Sequence, residues 1–183
     1  MIIKCFWILR AFVLKIFFGK IRILSYIGKP IFLYNVKNVF LGKRVRIYPG
    51  LRCETYNLGK IIIEDNVGIG QNFHITCSEE ELIIGKNTTI LGNVFITNID
   101  HDYSVLGVSI LEQNYIVKRT SIGENCFIGY GAAIQAGTIL GKQCIVGANS
   151  VVRGTYPDYC VIAGVPARII KKYNFSTQNW EKV

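Results

Sequence analysis

From Ile116 to Val152 an aliphatic side chain recurs at every sixth position, through Ile116, Ile122, Ile128, Ile134, Leu140, Val146 and Val152. Glycine follows in Ile122-Gly123, Ile128-Gly129, Leu140-Gly141 and Val146-Gly147. The fourth place after the aliphatic residue is small or of modest size, as at Cys126, Ala132, Thr138, Cys144 and Ser150. An amphipathic helix repeats its apolar face about every 3.6 residues and a half-buried strand about every two, so a period of six belongs to neither. It describes short strands wound into a coil, with three hexads closing one triangular turn and residues eighteen apart stacked at the strand spacing of roughly 4.8 Å. Ile122 is then expected on Leu140, Ile128 on Val146 and Ile134 on Val152. The glycines, with Asn66, Asn72, Asn87, Asn93, Asn125 and Asn149, suit tight corners where positive φ is common. An ordinary β-sandwich would instead alternate, with turns about every eight to twelve residues.

The rhythm continues upstream with interruptions, through Leu41 and Ile47, then Ile63, Ile69 and Ile75, then Ile84, Ile90 and Ile96. Three residues are added around Ser78 to Glu81, and a longer break at about 97–115 throws one segment outward while the stack continues beneath it. Loops carried on a rigid scaffold are where function concentrates. At 183 residues the chain fits one domain with a substantial core. The expected organisation is an N-terminal segment over 1–40, a coil domain over 41–172 with its loop at about 97–115, and a tail over 173–183.

Charge divides the chain unevenly. Residues 1–53 hold eleven Lys or Arg and no Asp or Glu, so the net charge of +9 arises in the N-terminal third. That third is also strongly apolar, and residues 2–25 read as a helix with an imperfect amphipathic pattern. Lys4, Arg10, Lys15 and Lys20 leave no uncharged run of about 20 residues, so a membrane span is not expected. Arg10 and Lys15 also interrupt any secretory h-region, and a cytoplasmic protein is expected. The N-terminal segment either rests on anionic lipid at the inner face of the membrane or packs over an open end of the coil stack. Nucleic-acid binding is disfavoured, because the basic residues alternate with aliphatics and no nucleic-acid motif is present. The six cysteines show no metal or redox spacing, and Cys126 and Cys144, eighteen apart, are expected to stack as small buried groups.

Three segments carry a family resemblance: Ile63-Glu64-Asp65-Asn66-Val67-Gly68-Ile69-Gly70, Val146-Gly147-Ala148-Asn149-Ser150-Val151-Val152 and Ala163-Gly164-Val165-Pro166-Ala167-Arg168. With them the chain resembles the hexapeptide-repeat acyltransferases, among them bacterial polysaccharide and sugar O-acetyltransferases. The resemblance implies an all-β left-handed parallel β-helix, a homotrimer with active sites between subunits, and acetyl-CoA as cosubstrate with no metal. It places the catalytic histidine at His101, in Asn98-Ile99-Asp100-His101-Asp102-Tyr103, where a neutral imidazole could take the acceptor proton. Asp100 or Asp102 could orient the ring, and the amide of Tyr130 could face the oxyanion. His74 and Thr76 could touch the acceptor. The resemblance puts Phe127, where relatives often carry tryptophan, together with Gly147, Ala148, Ala163 and Gly164 along the coenzyme, and Arg168, Lys171 and Lys172 at its phosphates. Arg153-Gly154 stands where Thr-Lys is common.

The expected reaction is acetyl transfer from acetyl-CoA to a sugar hydroxyl of a bacterial surface polysaccharide or its lipid-linked precursor. N-acetylation of a nucleotide-linked amino sugar is the nearest alternative, and a xenobiotic acceptor a further one. A zinc enzyme on the same scaffold would need three histidines where this chain has two. A non-catalytic scaffold would leave the His101 loop without a role.

Overall fold

The aliphatic hexads become the inward-facing positions of a left-handed parallel β-helix with three flat faces. The structure is a computed structural model that describes residues 2–183, with side chains from Lys4 onward. Seven parallel strands form the first face, from Lys20–Ile21 to Thr155–Tyr156, and six form the third, from Phe32–Tyr34 to Val151–Val152. The second face begins with seven parallel strands, from Tyr26–Ile27 to Cys160–Gly164, and ends in an antiparallel pair, Ala167–Asn174 and Asn179–Lys182. Ile122 pairs with Leu140, Ile128 with Val146 and Ile134 with Val152, as the eighteen-residue period requires. All six are buried, each stabilising the fold by roughly 1.5–3 kcal/mol relative to exposure.

The asparagine corners also form as expected. Asn66, Asn72, Asn87, Asn93, Asn125 and Asn149 hold φ between 55° and 61°. Two pairs of them extend the ladder outward, Asn66 Nδ2 donating to Asn87 Oδ1 at 2.9 Å and Asn72 Nδ2 to Asn93 Oδ1 at 3.0 Å. The glycines after the aliphatic residue have a different cause. Gly123, Gly129, Gly141 and Gly147 are absent from the positive-φ positions. Close approach explains the first three: a Cβ on Gly129 would sit 2.5 Å from the Ala148 nitrogen, and one on Gly123 would strike the Gly141 carbonyl.

Four expectations change. Ile116 falls in the six-residue rhythm by coincidence, since it lies on the ejected ribbon opposite Asp100 and is 37% exposed. The helix spans only α1 (Ile2–Leu14), and coiling begins at Lys20 rather than near 41, because Ile21 and Ile27 already face the core. The tail 173–183 is not separate from the coil domain, since Tyr173 and Trp180 pair across the terminal hairpin of the second face. The three residues added near Ser78 are, by contrast, accommodated as the sequence indicates, the third face taking the five-residue strand His74–Ser78 so that Ile63 and Ile84 pair twenty-one residues apart. Cys126, Cys144 and Cys160 line one inner column, with the last two sulfurs 3.5 Å apart. Burial pushes the thiols of Cys53 and Cys77 upward, which suits packing rather than nucleophilic work.

Candidate active site

On the third face alternate residues point outward, and register stacks them into columns. Arg52 pairs with His74 and Glu54 with Thr76, while Phe95 and Thr97 continue the same two columns one coil on. After Thr97 the chain leaves the stack. Its departure is pinned by Asn98, which is fully buried, donates from Nδ2 to the Ser78 carbonyl and accepts the Ser78 N–H at Oδ1, both at 2.8 Å. Ile99–His101 then pairs antiparallel with Tyr115–Val117, and the Lys118 N–H closes the ribbon onto the Asn98 carbonyl at 2.9 Å. The ribbon stands over the third face and encloses a cleft of about 380 Å³, with Arg52, Glu54, His74 and Thr76 beneath and His101 and Tyr115 at the side.

His101 and His74 therefore face one cavity. Among the described residues, His101 Nδ1 and His74 Nε2 are the two buried side-chain polar atoms without a hydrogen-bond partner. Buried polar atoms are otherwise almost always paired, so two orphaned imidazole nitrogens in one cleft mark a place built to meet a ligand. The His101 ring rests edge-on against Tyr115 at 4.9 Å between centroids, and His74 lies 4.8 Å from Phe95.

Neither flanking aspartate meets that Nδ1. Asp100 Oδ2 accepts from Arg153 at 2.6 Å, with Lys118 Nζ at 4.0 Å, while its Oδ1 accepts the backbone N–H of His101 at 3.1 Å. Asp102 Oδ1 accepts the Ser104 N–H at 2.9 Å, a bond that holds its carboxyl below the usual range. Both carboxylates shape the ribbon, and the contact that sets the imidazole plane is Tyr115.

Glu54 anchors the floor. Its side chain is only 4% exposed, and it accepts from Arg52 Nε and from Tyr56 OH, each at 2.5 Å. Burial alone would raise the carboxyl, but the Arg52 and Tyr56 bonds and the Arg52 charge outweigh it and hold Glu54 below its ordinary value. The same bond to Glu54 is the main reason the Tyr56 phenol is pushed up to about 12, so it remains a donor. His74 Nε2 lies 3.4 Å from Glu54 Oε1 without hydrogen-bond geometry. Burial, and then the Arg52 charge, push His74 below its ordinary value despite that carboxylate, leaving it neutral near pH 7.

These shifts give a signed expectation for stability. The unfolded chain protonates His74 near its ordinary 6.5 while the fold resists, so this contribution is complete above that pH and fades as pH falls through the folded value. Glu54, also depressed, adds a second loss below its ordinary 4.5. Urea melts from pH 8 to 4 should show stability falling on acidification, with the first limb flattened in His74→Asn. A limb of equal slope in that variant would refute the assignment.

A sequence profile described as the hexapeptide repeat of succinyl-transferase matches residues 119–153. The protein named lipopolysaccharide biosynthesis O-acetyl transferase WbbJ, from Escherichia coli K12, is 36% identical over 181 residues, covering 92% of this chain and 87% of that one. The chain belongs to the hexapeptide-repeat acyltransferase family. Solved structures share its fold. A single-substitution mutant of AntD, an N-acyltransferase from Bacillus cereus, in complex with dTDP-4-amino-4,6-dideoxyglucose and coenzyme A, superposes with a TM-score of 0.76 at 21% identity over 92% of this chain and 90% of its own. The polysialic acid O-acetyltransferase OatWY gives 0.63 at 22% identity over 84% and 82%.

In this hexapeptide-repeat acyltransferase the residues expected along a coenzyme lie apart from the His101 cleft. Phe127 is an outward residue of the second face, and Tyr130, Gly147 and Ala148 turn the corner from the second face to the third. Ala163, Gly164 and Arg168 sit on the terminal hairpin of the second face, where Lys171 pairs with Val161 and Lys172 with Cys160. His101 enters from the opposite edge of the third face. Sequence reasoning missed Arg52, Glu54, Tyr56, Tyr115 and Arg153. The signal available for three of them was the alternation in Arg52-Cys53-Glu54-Thr55-Tyr56, which puts Arg52, Glu54 and Tyr56 on the solvent side of a strand.

Proposed function

We propose that this enzyme acetylates a sugar hydroxyl of a bacterial surface polysaccharide or its precursor, using acetyl-CoA, with His101 as general base. The observation that carries the reading is the pair of orphaned imidazole nitrogens in the cleft beneath the ejected ribbon. The likeness to WbbJ supports a saccharide oxygen as acceptor. In the reaction, the His101 imidazole takes the acceptor O–H proton as the oxygen attacks the thioester carbonyl. The tetrahedral intermediate collapses with cleavage of the C–S bond, and His101 returns the proton to the leaving thiolate. His74, neutral and half-buried, is suited to hold the acceptor rather than to carry charge. N-acylation of a nucleotide-linked amino sugar is the second reading, supported by the similarity to AntD. Purified protein given acetyl-CoA and a panel of sugar and amino-sugar acceptors, with free thiol as readout, separates the two. Thiol release only with amines would sink the O-acetyl reading.

His101 and the coenzyme set flank the third face from opposite edges, an arrangement that a threefold assembly completes by laying the ribbon of one copy against the coenzyme edge of the next. Each site would then draw on two chains. Co-expression of His101→Ala with Arg168→Ala, each inactive alone, should restore activity at about a quarter of the sites in randomly mixed trimers. A site built within one chain would recover nothing.

A further inference from the structure

The N-terminal helix carries an apolar side that nothing among the described residues covers. Its inner side caps the first coil: Ala11 is buried, as is Phe18 just beyond the helix, Trp7 packs on Tyr26 and Tyr48 at 5.7 and 5.4 Å, and an Arg10 N–H donates to the Ile27 carbonyl. The outer side presents Phe6, Leu9, Phe12 and Val13, extended by Ile16 and Phe17, all more than half exposed. A helix between core and water keeps one apolar stripe, whereas one that is apolar all round needs a second apolar medium. The patch continues onto the first coil. There Ile23 and Leu24 are 69% and 68% exposed, and Leu24 holds φ 61° at a corner that the later coils fill with polar or amphipathic residues, Arg44, Asn66, Asn87, Asn125, Gln143 and Tyr159. Left-handed backbone disfavours leucine, yet here it carries an aliphatic side chain at an outward point.

Charge identifies the medium. Lys15, Lys20, Arg22 and Lys43 gather around Ile21 and Ile23, and among the described residues none of these four cations forms an ion pair. The surrounding stretch 1–53 contains no acidic residue. A second copy docked through this patch would set like charges against each other. A bilayer with anionic headgroups accepts the apolar side chains and the cations together. At 13 residues α1 is roughly 20 Å long, and no helix among the described residues is long and apolar enough to cross a membrane.

We propose that the outer side of the N-terminal helix, with the Ile23-Leu24 corner and its ring of cations, is a docking surface for an anionic lipid bilayer. The helix lies in the interface plane, with Phe12, Ile16 and their neighbours in the acyl boundary and Lys15, Lys20, Arg22 and Lys43 at the phosphates. On the acyl-transfer reading above, this brings the cleft, whose floor begins one coil on at Arg52, within reach of a sugar carried on a lipid.

Co-sedimentation of the full chain with vesicles of phosphatidylcholine, with and without phosphatidylglycerol, tests the surface without using turnover. Binding should be at least about tenfold tighter on the anionic vesicles and weaken as salt rises. Lys20→Gln and Arg22→Gln should each lower it about fivefold, and Phe12→Ser with Ile16→Ser should abolish it while acetyl transfer to a soluble acceptor stays unchanged. Absence of binding to either vesicle would overturn the proposal. So would light scattering showing that Phe12→Ser with Ile16→Ser dissociates the native assembly, since the face would then be a contact between copies. Because the binding readout is separate, a protein that docks but transfers nothing would refute the acyl-transfer reading alone.

Discussion

His101→Ala should lower kcat/KM for acetyl transfer by about 10²–10⁴, the usual contribution of a positioned general base. The loss should appear in kcat, because the imidazole acts on a proton that moves only as the oxygen attacks. Stability should change little. The ring lies on a ribbon outside the core, and its contacts are the Tyr115 edge and an unpaired Nδ1, so truncation removes no hydrogen bond through that atom. Thermal melts and coenzyme A titration on the same preparation separate chemistry from folding. Wild-type turnover in His101→Ala would remove His101 from the mechanism and turn attention to His74, the other orphaned imidazole in the cleft. His74→Ala serves as the comparison: as an acceptor-holding group its loss should raise KM more than it lowers kcat. Tyr115→Leu is more discriminating still. It removes the ring that sets the imidazole plane while leaving both histidines in place, so activity should fall with the fold intact.

The coil stack was legible in the sequence because each turn must bury one side chain at each inward column, and burial tolerates few residue types there. Ile122, Ile128 and Ile134 announce the three faces, and the asparagines announce the corners because few other residues accept positive φ at low cost. Outward positions carry no such restriction. Arg52, Glu54 and Tyr56 became a site only when register placed them beside His74 and Thr76, some twenty residues later in the chain. Ile116 shows the converse failure, an aliphatic residue in phase with the hexads yet placed on the ribbon. The family pattern singled out His101, which the structure sets at the side of the cleft, but its relation to Asp100 was not legible. The carboxylate that sequence adjacency offers to the ring is claimed by Arg153, fifty-three residues away. The start of the coil was hidden for a similar reason, since the apolar residues that cap the prism and those that fill its first turn form one unbroken stretch.

Gly123→Ala should destabilise the fold by roughly 1–3 kcal/mol, although it adds a single methyl group to a residue with ordinary φ. The new Cβ would meet the Gly141 carbonyl oxygen and lie 2.5 Å from its carbon, and both atoms belong to the backbone of the next coil. Gly123 donates its own N–H to the Leu140 carbonyl at 2.9 Å, so the two coils cannot separate without stretching a ladder bond. A side chain in the way could rotate aside, but here only the strand spacing can yield, and that spacing is set by hydrogen bonds on all three faces. Gly68→Ala supplies the contrast. It too lies outside the positive-φ set, although within a strand rather than just after one, yet its Cβ would meet only the Arg46 guanidinium, no nearer than 3.6 Å. Reduced freedom of the unfolded chain should then leave Gly68→Ala neutral or more stable by about 0.4–1 kcal/mol. For a chain of this length each kcal/mol moves Tm by about 2–4 °C, so the two variants should melt on opposite sides of the parent or nearly so. Equal melting of both would mean that glycine is kept at these places for flexibility rather than for contact between coils, and the account of the hexad glycine would fail.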